Sequence, residues 1–129
     1  MEREPQRIAT DEYARRIRAL LSRGGLNRAL PRRQRDLWIV LHAIARRFSE
    51  NDRLSEVEAN ARIADFLLGP GRFLELDRVT LRRALVDEGF LDRDPAGHSY
   101  RASRRHQRRV VFEAPPAVEA ILGLEPRPA

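Results

Sequence analysis

Three histidines, His42, His98 and His106, and a serine at position 99 are the side chains here best suited to acid–base or nucleophilic work. Their spacing supports none of it. A zinc site needs ligands at short recurring intervals, which positions 42, 98 and 106 lack. The His98-Ser99 pair has no third group to orient the base. With no cysteine, disulfides, thiolate zinc sites and thiol nucleophiles are excluded. The stretch "GPGR" at 69–72 has the glycines of a phosphate loop but not its Lys-Ser/Thr. Glu56, Glu58 and Asp65 read as capping and surface acids. The chain is therefore expected to be no enzyme, with no metal and no cofactor.

What the chain does carry is guanidinium chemistry. All 25 of its Lys+Arg residues are arginine, against 19 acids, for a net charge of +6. Arginine grips phosphate through two parallel hydrogen bonds, although a genome rich in arginine codons produces the same composition. The distribution is uneven. Residues 96–114 hold five arginines against one acid, and residues 31–50 hold five against two. Residues 51–75 reverse the balance, with three arginines against five acids. Nucleic acid is one class of partner that such a pattern suits.

The elements that must position these groups follow from apolar periodicity. Residues 1–9 read as a loose arm. Thr10 is placed to cap a helix with Tyr13, Ile17, Leu20 and Leu21 on one stripe, stopped by Gly24-Gly25. Pro31 suits the start of a second helix running to Phe48. That helix is apolar on nearly all sides, with Arg35, His42 and Arg46 as a narrow exposed strip. "RLS" fits a short strand. Ser55 and Glu58 then match a capping box. The helix they open is expected to bury Val57, Ala61, Ala64 and Leu68. Asp77 is a good N-cap for a helix over 78–88, and Gly89 suits its C-terminal stop. Two short strands around Leu91 and Tyr100, bent at Pro95-Ala96-Gly97, make a hairpin. "RRVVFEA" fits a strand, and a short helix follows Pro115-Pro116 with Val118, Ile121 and Leu122. No apolar run is long enough to cross a membrane and no secretory leader is visible, so a cytoplasmic location is expected.

A helical wheel over 78–88 separates two kinds of arginine. Arg82 falls between Leu85 and Val86, so a structural role is expected for it, with a buried stem and a head tied to an acid or to carbonyls. Thr80 and Arg83 fall on the outer face, though Asp87 offsets Arg83 there. The candidate contacts to double-stranded DNA are Arg78, Thr80, Arg83, Arg101, Arg104 and Arg105, supported by Arg32, Arg33 and Arg35 if these surfaces coincide. The rival expectation is a protein-interaction module. In it the first helix and the 116–124 helix lend apolar surface to a homodimer or to a neighbouring regulator.

Three stretches carry a resemblance: "ALPRRQRDLWIVLHAIARRF", "RLSEVEANARIADF" and "DRVTLRRALVDEGFLDRDPAGHSYR". Over about residues 29–101 the chain resembles the bacterial domain-of-unknown-function family numbered twenty eighty-seven. The resemblance implies a winged-helix-like module in a regulatory, non-enzymatic setting, found alone or beside helix-turn-helix regulators. The "LLGPGRFLEL" connector is longer than that pattern. The expected fold is α+β, mostly helical and winged-helix-like, with a small C-terminal β-hairpin. It is laid out as an N-terminal arm and helix (1–28), the winged-helix-like unit (29–102) and a basic tail with a short helix (103–129), forming a single domain overall. The expected role is a small bacterial regulatory module, DNA-binding or transcription-associated.

Overall fold

The second of the five α-helices among the described residues organises the molecule. The computed structural model describes residues 3–25, 28–96 and 99–124. Its elements in chain order are β1 (Gln6–Ile8), α1 (Thr10–Leu20), α2 (Gln34–Ala45), α3 (Glu56–Leu68), α4 (Arg78–Asp87), β2 (Leu91–Arg93), β3 (Tyr100–Ala102), a 3₁₀ turn (Arg105–Arg108), β4 (Val110–Phe112) and α5 (Val118–Leu122). The fold is α+β and mostly helical. Along α2, Trp38, Ile39, Val40, Leu41, Ala43 and Ile44 are all buried, a run that leaves the helix little free circumference. It is shorter than the periodicity suggests. Arg33 at its N-cap keeps extended backbone. At the other end Arg47 and Phe48 bond back to Ile44 and Ala45, a 3₁₀ tightening that carries Phe48 into the core without continuing the α-helix.

Two small sheets flank the helices. In the first, β1 pairs in parallel with β4, Gln6 opposite Val110 and Ile8 opposite Phe112. The stretch expected to be a loose arm is therefore a strand, anchored by the fully buried Ile8. Thr10 does not cap α1; the cap position is Ala9. Its hydroxyl instead donates to the Glu113 carbonyl at 2.6 Å and fastens the helix start to the exit of β4. The apolar faces of α1 and α5, expected to be available to a second copy, meet within this chain: Tyr13, Ile17, Val118 and Ile121 are all buried.

The other sheet follows the expected order. The β2–β3 hairpin pairs Leu91 with Ala102 and Arg93 with Tyr100. Leu54 adds an isolated antiparallel bridge to Tyr100, so the "RLS" strand is one residue long. The order α2, bridge, α3, α4, hairpin is the one read from the sequence. Both helix starts match their signals. Ser55 and Glu58 close a capping box, and the Asp77 carboxylate accepts the Thr80 N–H at 2.8 Å. These contacts hold the Glu58 and Asp77 carboxyls below their ordinary pKa. Gly89 ends the α4 segment at φ +83°, and a Cβ there would lie 2.9 Å from the His106 nitrogen. The long connector does not loosen α4. Leu74 is buried, and Gly71 lies so close to the Phe66 ring that a Cβ would sit 2.6 Å from it.

The inward face of α3 differs from the expected one. Ala59, Ile63 and Phe66 are buried, whereas Val57 and Leu68 are 76% and 84% exposed. The helix has apolar stripes on opposite sides, and the one with the aromatic anchor faces the core. Ile63→Ala and Leu85→Ala are each expected to destabilise the fold by about 2–5 kcal/mol. Leu68→Ala should change it by less than about 0.5 kcal/mol. Urea unfolding of the three variants checks this; equal losses at 63 and 68 would reverse the assignment of faces.

Candidate binding surfaces

Arg82 sits inside the structure at 7% exposure. Its place on α4 between Leu85 and Val86 buries the stem. Its head meets three elements at once. One terminal nitrogen lies 2.7 Å from the Glu56 carboxylate, the other donates to the Asn60 amide oxygen, and the guanidinium carbon is 5.7 Å from the Tyr100 ring centre. The group therefore joins α4 to α3 and to the hairpin, and is not presented to a ligand.

The six residues expected to touch DNA are placed very differently from one another. Thr80 is exposed, but its hydroxyl donates to Asp77 as part of the helix cap. Arg104 pairs with Glu50 at 2.6 Å. Arg105 pairs with Asp92 at 2.6 Å and donates to the carbonyls of Val86 and Leu91. Arg101 reaches Asp92 only at 4.0 Å. Arg78 and Arg83 are exposed and have no side-chain partner among the described residues. The rest of the 101–109 cluster is also divided. Arg109 binds the Glu88 carboxylate and carbonyl, while Arg108 projects without a partner among the described residues. Of the supporting set, Arg35 is tied to Glu12 at 2.6 Å and donates to the Arg7 carbonyl, whereas Arg32 and Arg33 are exposed. Exposed ion pairs of this kind contribute little stability. They do cancel the local charge that a polyanion would need.

Two grooves run beside the hairpin. The larger, about 630 Å³, gathers Arg53, Arg93 and Arg101, but against the four carboxylates Glu50, Asp52, Asp92 and Asp94. The smaller, about 250 Å³, lies between α4 and the hairpin. Its cations are Arg82, Arg83 and Arg93, and its acids are Glu56 and Asp87. Arg93, like Arg83, has no partner among the described residues. Its register opposite Tyr100 at the end of β2 is what brings it beside α4.

The outer face of α3 is the feature that the sequence reading misplaced. Val57 and Leu68 are the only large apolar side chains that are fully exposed among the described residues. They lie eleven residues apart, three helical turns, and so fall on one line. The exposed Ala61 and the half-buried Ala64 lie between them. Spacing gave a signal, since 57, 61, 64 and 68 recur at helical intervals; it did not say which side of the helix the core would take.

His42 is not on an exposed strip. Its ring stacks on Phe112 with centroids 3.9 Å apart, and its Nδ1 lies 2.9 Å from the Tyr13 hydroxyl. Burial, then Arg46 and His106, lower its pKa to about 3. His106 stacks on Phe90 at 4.2 Å, and burial lowers its pKa as well. His98 lies outside the described residues. Among the described residues no group of three or more His, Cys, Asp or Glu side chains could hold a metal, and no helix is long and apolar enough to cross a membrane.

The His42 environment sets a pH dependence. Above about pH 6.5 the ring is neutral whether the chain is folded or not. As pH falls from there toward 3, the unfolded chain takes up a proton that the folded one refuses, so stability falls by up to about 1.4 kcal/mol per pH unit. His42→Gln should flatten this slope between pH 6.5 and 4 in urea unfolding series. An unchanged slope would place the ring in water.

Comparison with known proteins adds one match. The model of a family described as "Uncharacterized protein conserved in bacteria (DUF2087)" covers residues 27–102. Those bounds enclose α2, α3, α4 and the whole hairpin, including Arg82 and the outer stripe of α3. No curated protein and no solved structure matches the chain. With well over half of its residues covered, the chain belongs to this bacterial family of uncharacterised proteins.

Proposed function

We propose that the protein is a non-catalytic protein-interaction module that docks through the outer face of α3. The observation that carries this reading is the exposure of Val57 and Leu68 on one line of one helix, in a chain whose other large apolar side chains are at least partly covered among the described residues. With the alanines between them they form one apolar stripe, and a contiguous exposed apolar surface marks an interaction site. A regulatory setting in the bacterial cytoplasm suits a small module of winged-helix-like order. The test is photo-crosslinking in the native host, with a benzophenone amino acid at position 57, 61 or 68 and, as control, at exposed Arg18 of α1. Discrete adducts are expected from α3 alone. Equal labelling from Arg18, or none from α3, would remove the reading.

A second reading, contact with duplex DNA, is favoured by Arg83 and Arg93, the two unpartnered guanidinium groups beside the groove between α4 and the hairpin. Arg78 at the start of α4, together with Arg101, extends this set. Few phosphate contacts are available to it, so binding should be weak and should fall by about tenfold to a hundredfold between 50 and 200 mM salt. Anisotropy titration of the chain against a random duplex checks this, with Arg83→Ala/Arg93→Ala as the variant. The reading is abandoned if nothing binds at 50 mM salt.

A further inference from the structure

We infer that the partner seated on the outer face of α3 is an amphipathic helix with an apolar stripe and basic flanks. The inference rests on the interaction reading above and names the chemistry of the occupant.

Shape is the first support. Val57, Ala61, Ala64 and Leu68 are spaced four, three and four residues apart, the interval at which one helix receives the side chains of another. Large residues close the two ends and alanines occupy the middle. Small central residues let a second helix axis approach to about 8 Å. Two shallow depressions continue the stripe. One of about 330 Å³ lies against Leu54, Glu58, Ala61 and Arg62. The other, about 190 Å³, lies against Leu68, Pro70, Glu119 and Leu124. They meet at Asp65, which lines both. The two depressions, joined at that residue, make a trough beside the stripe from Ala61 to Leu68.

Charge is the second support, and it selects the occupant. The trough is edged by Glu58, Asp65 and Glu119. The two arginines within it are held by acids of the same chain, Arg47 by Asp65 and Glu119, and Arg62 by Asp52. This edge belongs to a molecule of net charge +6 whose residues 51–75 are the most acidic part of the sequence. The three carboxylates of the lining outnumber its two arginines, so a cationic helix is favoured here over an acidic one. A nucleic acid is repelled from the same carboxylates. A second copy fits poorly. An antiparallel pair of α3 helices about a two-fold axis brings the same flank of each together. Both flanks then carry the same excess of acid, so the pair gains no charge complementarity.

The experiment uses the full chain and two fluorescein-labelled synthetic helical peptides with the same leucine–alanine stripe, one flanked by arginines and one by glutamates. Anisotropy should give a micromolar Kd for the arginine peptide and binding at least about tenfold weaker for the glutamate peptide. Val57→Ser/Leu68→Ser should weaken the arginine peptide by about tenfold or more while the urea midpoint stays within error. Glu58→Gln keeps a capping group at its position, and should weaken binding by about threefold with a shallower salt dependence. Equal affinity for both peptides, or full binding by the Val57→Ser/Leu68→Ser variant, would overturn the proposal. So would sedimentation showing a dimer that Leu68→Ser dissolves, since the second copy would then own the trough. If specific adducts form at positions 57 and 68 in the host while neither peptide binds, the basic-helix proposal falls and the interaction reading stands.

Discussion

A helix that is apolar around most of its circumference has to be enclosed, and α2 sets this requirement for the whole molecule. With Trp38 through Leu41, Ala43 and Ile44 all buried, no single neighbour can cover it. Helices α1 and α4 pack directly against it, and α5 closes over α1 from the other end of the chain. The polar groups carried on α2 are constrained by the same enclosure. Asp36, itself buried, takes two hydrogen bonds from Arg16 of α1. Arg46 donates to the Pro116 carbonyl just before α5. His42 is held neutral among aromatic rings because burial, and then the nearby Arg46 and His106, disfavour the charged imidazole.

The arginine content follows a related logic. Many of these groups act as internal clamps, each joining elements distant in sequence: Arg35 to Glu12, Arg47 to Asp65 and Glu119, Arg82 to Glu56, Arg105 to Asp92 and two carbonyls. The planar, multidentate guanidinium suits this work better than a lysine ammonium would. A positive total charge therefore overstates how cationic the accessible surface is. The grooves by the hairpin carry both signs, and the least compensated arginines, such as Arg83 and Arg93, are few.

Much of this architecture was legible in the residues. The Ser55–Glu58 box, the Asp77 cap, Gly89 and the alternation around Leu91 and Tyr100 are local signals, and each produced the local structure that its chemistry requires. Arg82 was legible too, because a wheel alone places it between two apolar neighbours. What failed depended on long-range partners. The first strand looks like an arm because its hydrogen-bonding partner is β4, at the other end of the sequence. The start of α1 looks capped by Thr10 because nothing nearby shows that Glu113 claims the hydroxyl. The two stripes of α3 are equivalent to a periodicity argument, and only packing against the rest of the molecule decides between them. Charge runs read as binding surface for the same reason: the acids that neutralise Arg104 and Arg105 are far off along the chain.

The parallel pairing of β1 with β4 also bears on how the molecule is made. Thr10 and the carbonyl it grips are 103 residues apart, so the first strand emerges from the ribosome with its partner β4 still to be made. At bacterial elongation rates of about 5–20 residues per second, the segment from α2 to the hairpin has several seconds to assemble with its N-terminal flank still open. Pairing of β1 with β4 therefore cannot precede synthesis of the segments that lie between them.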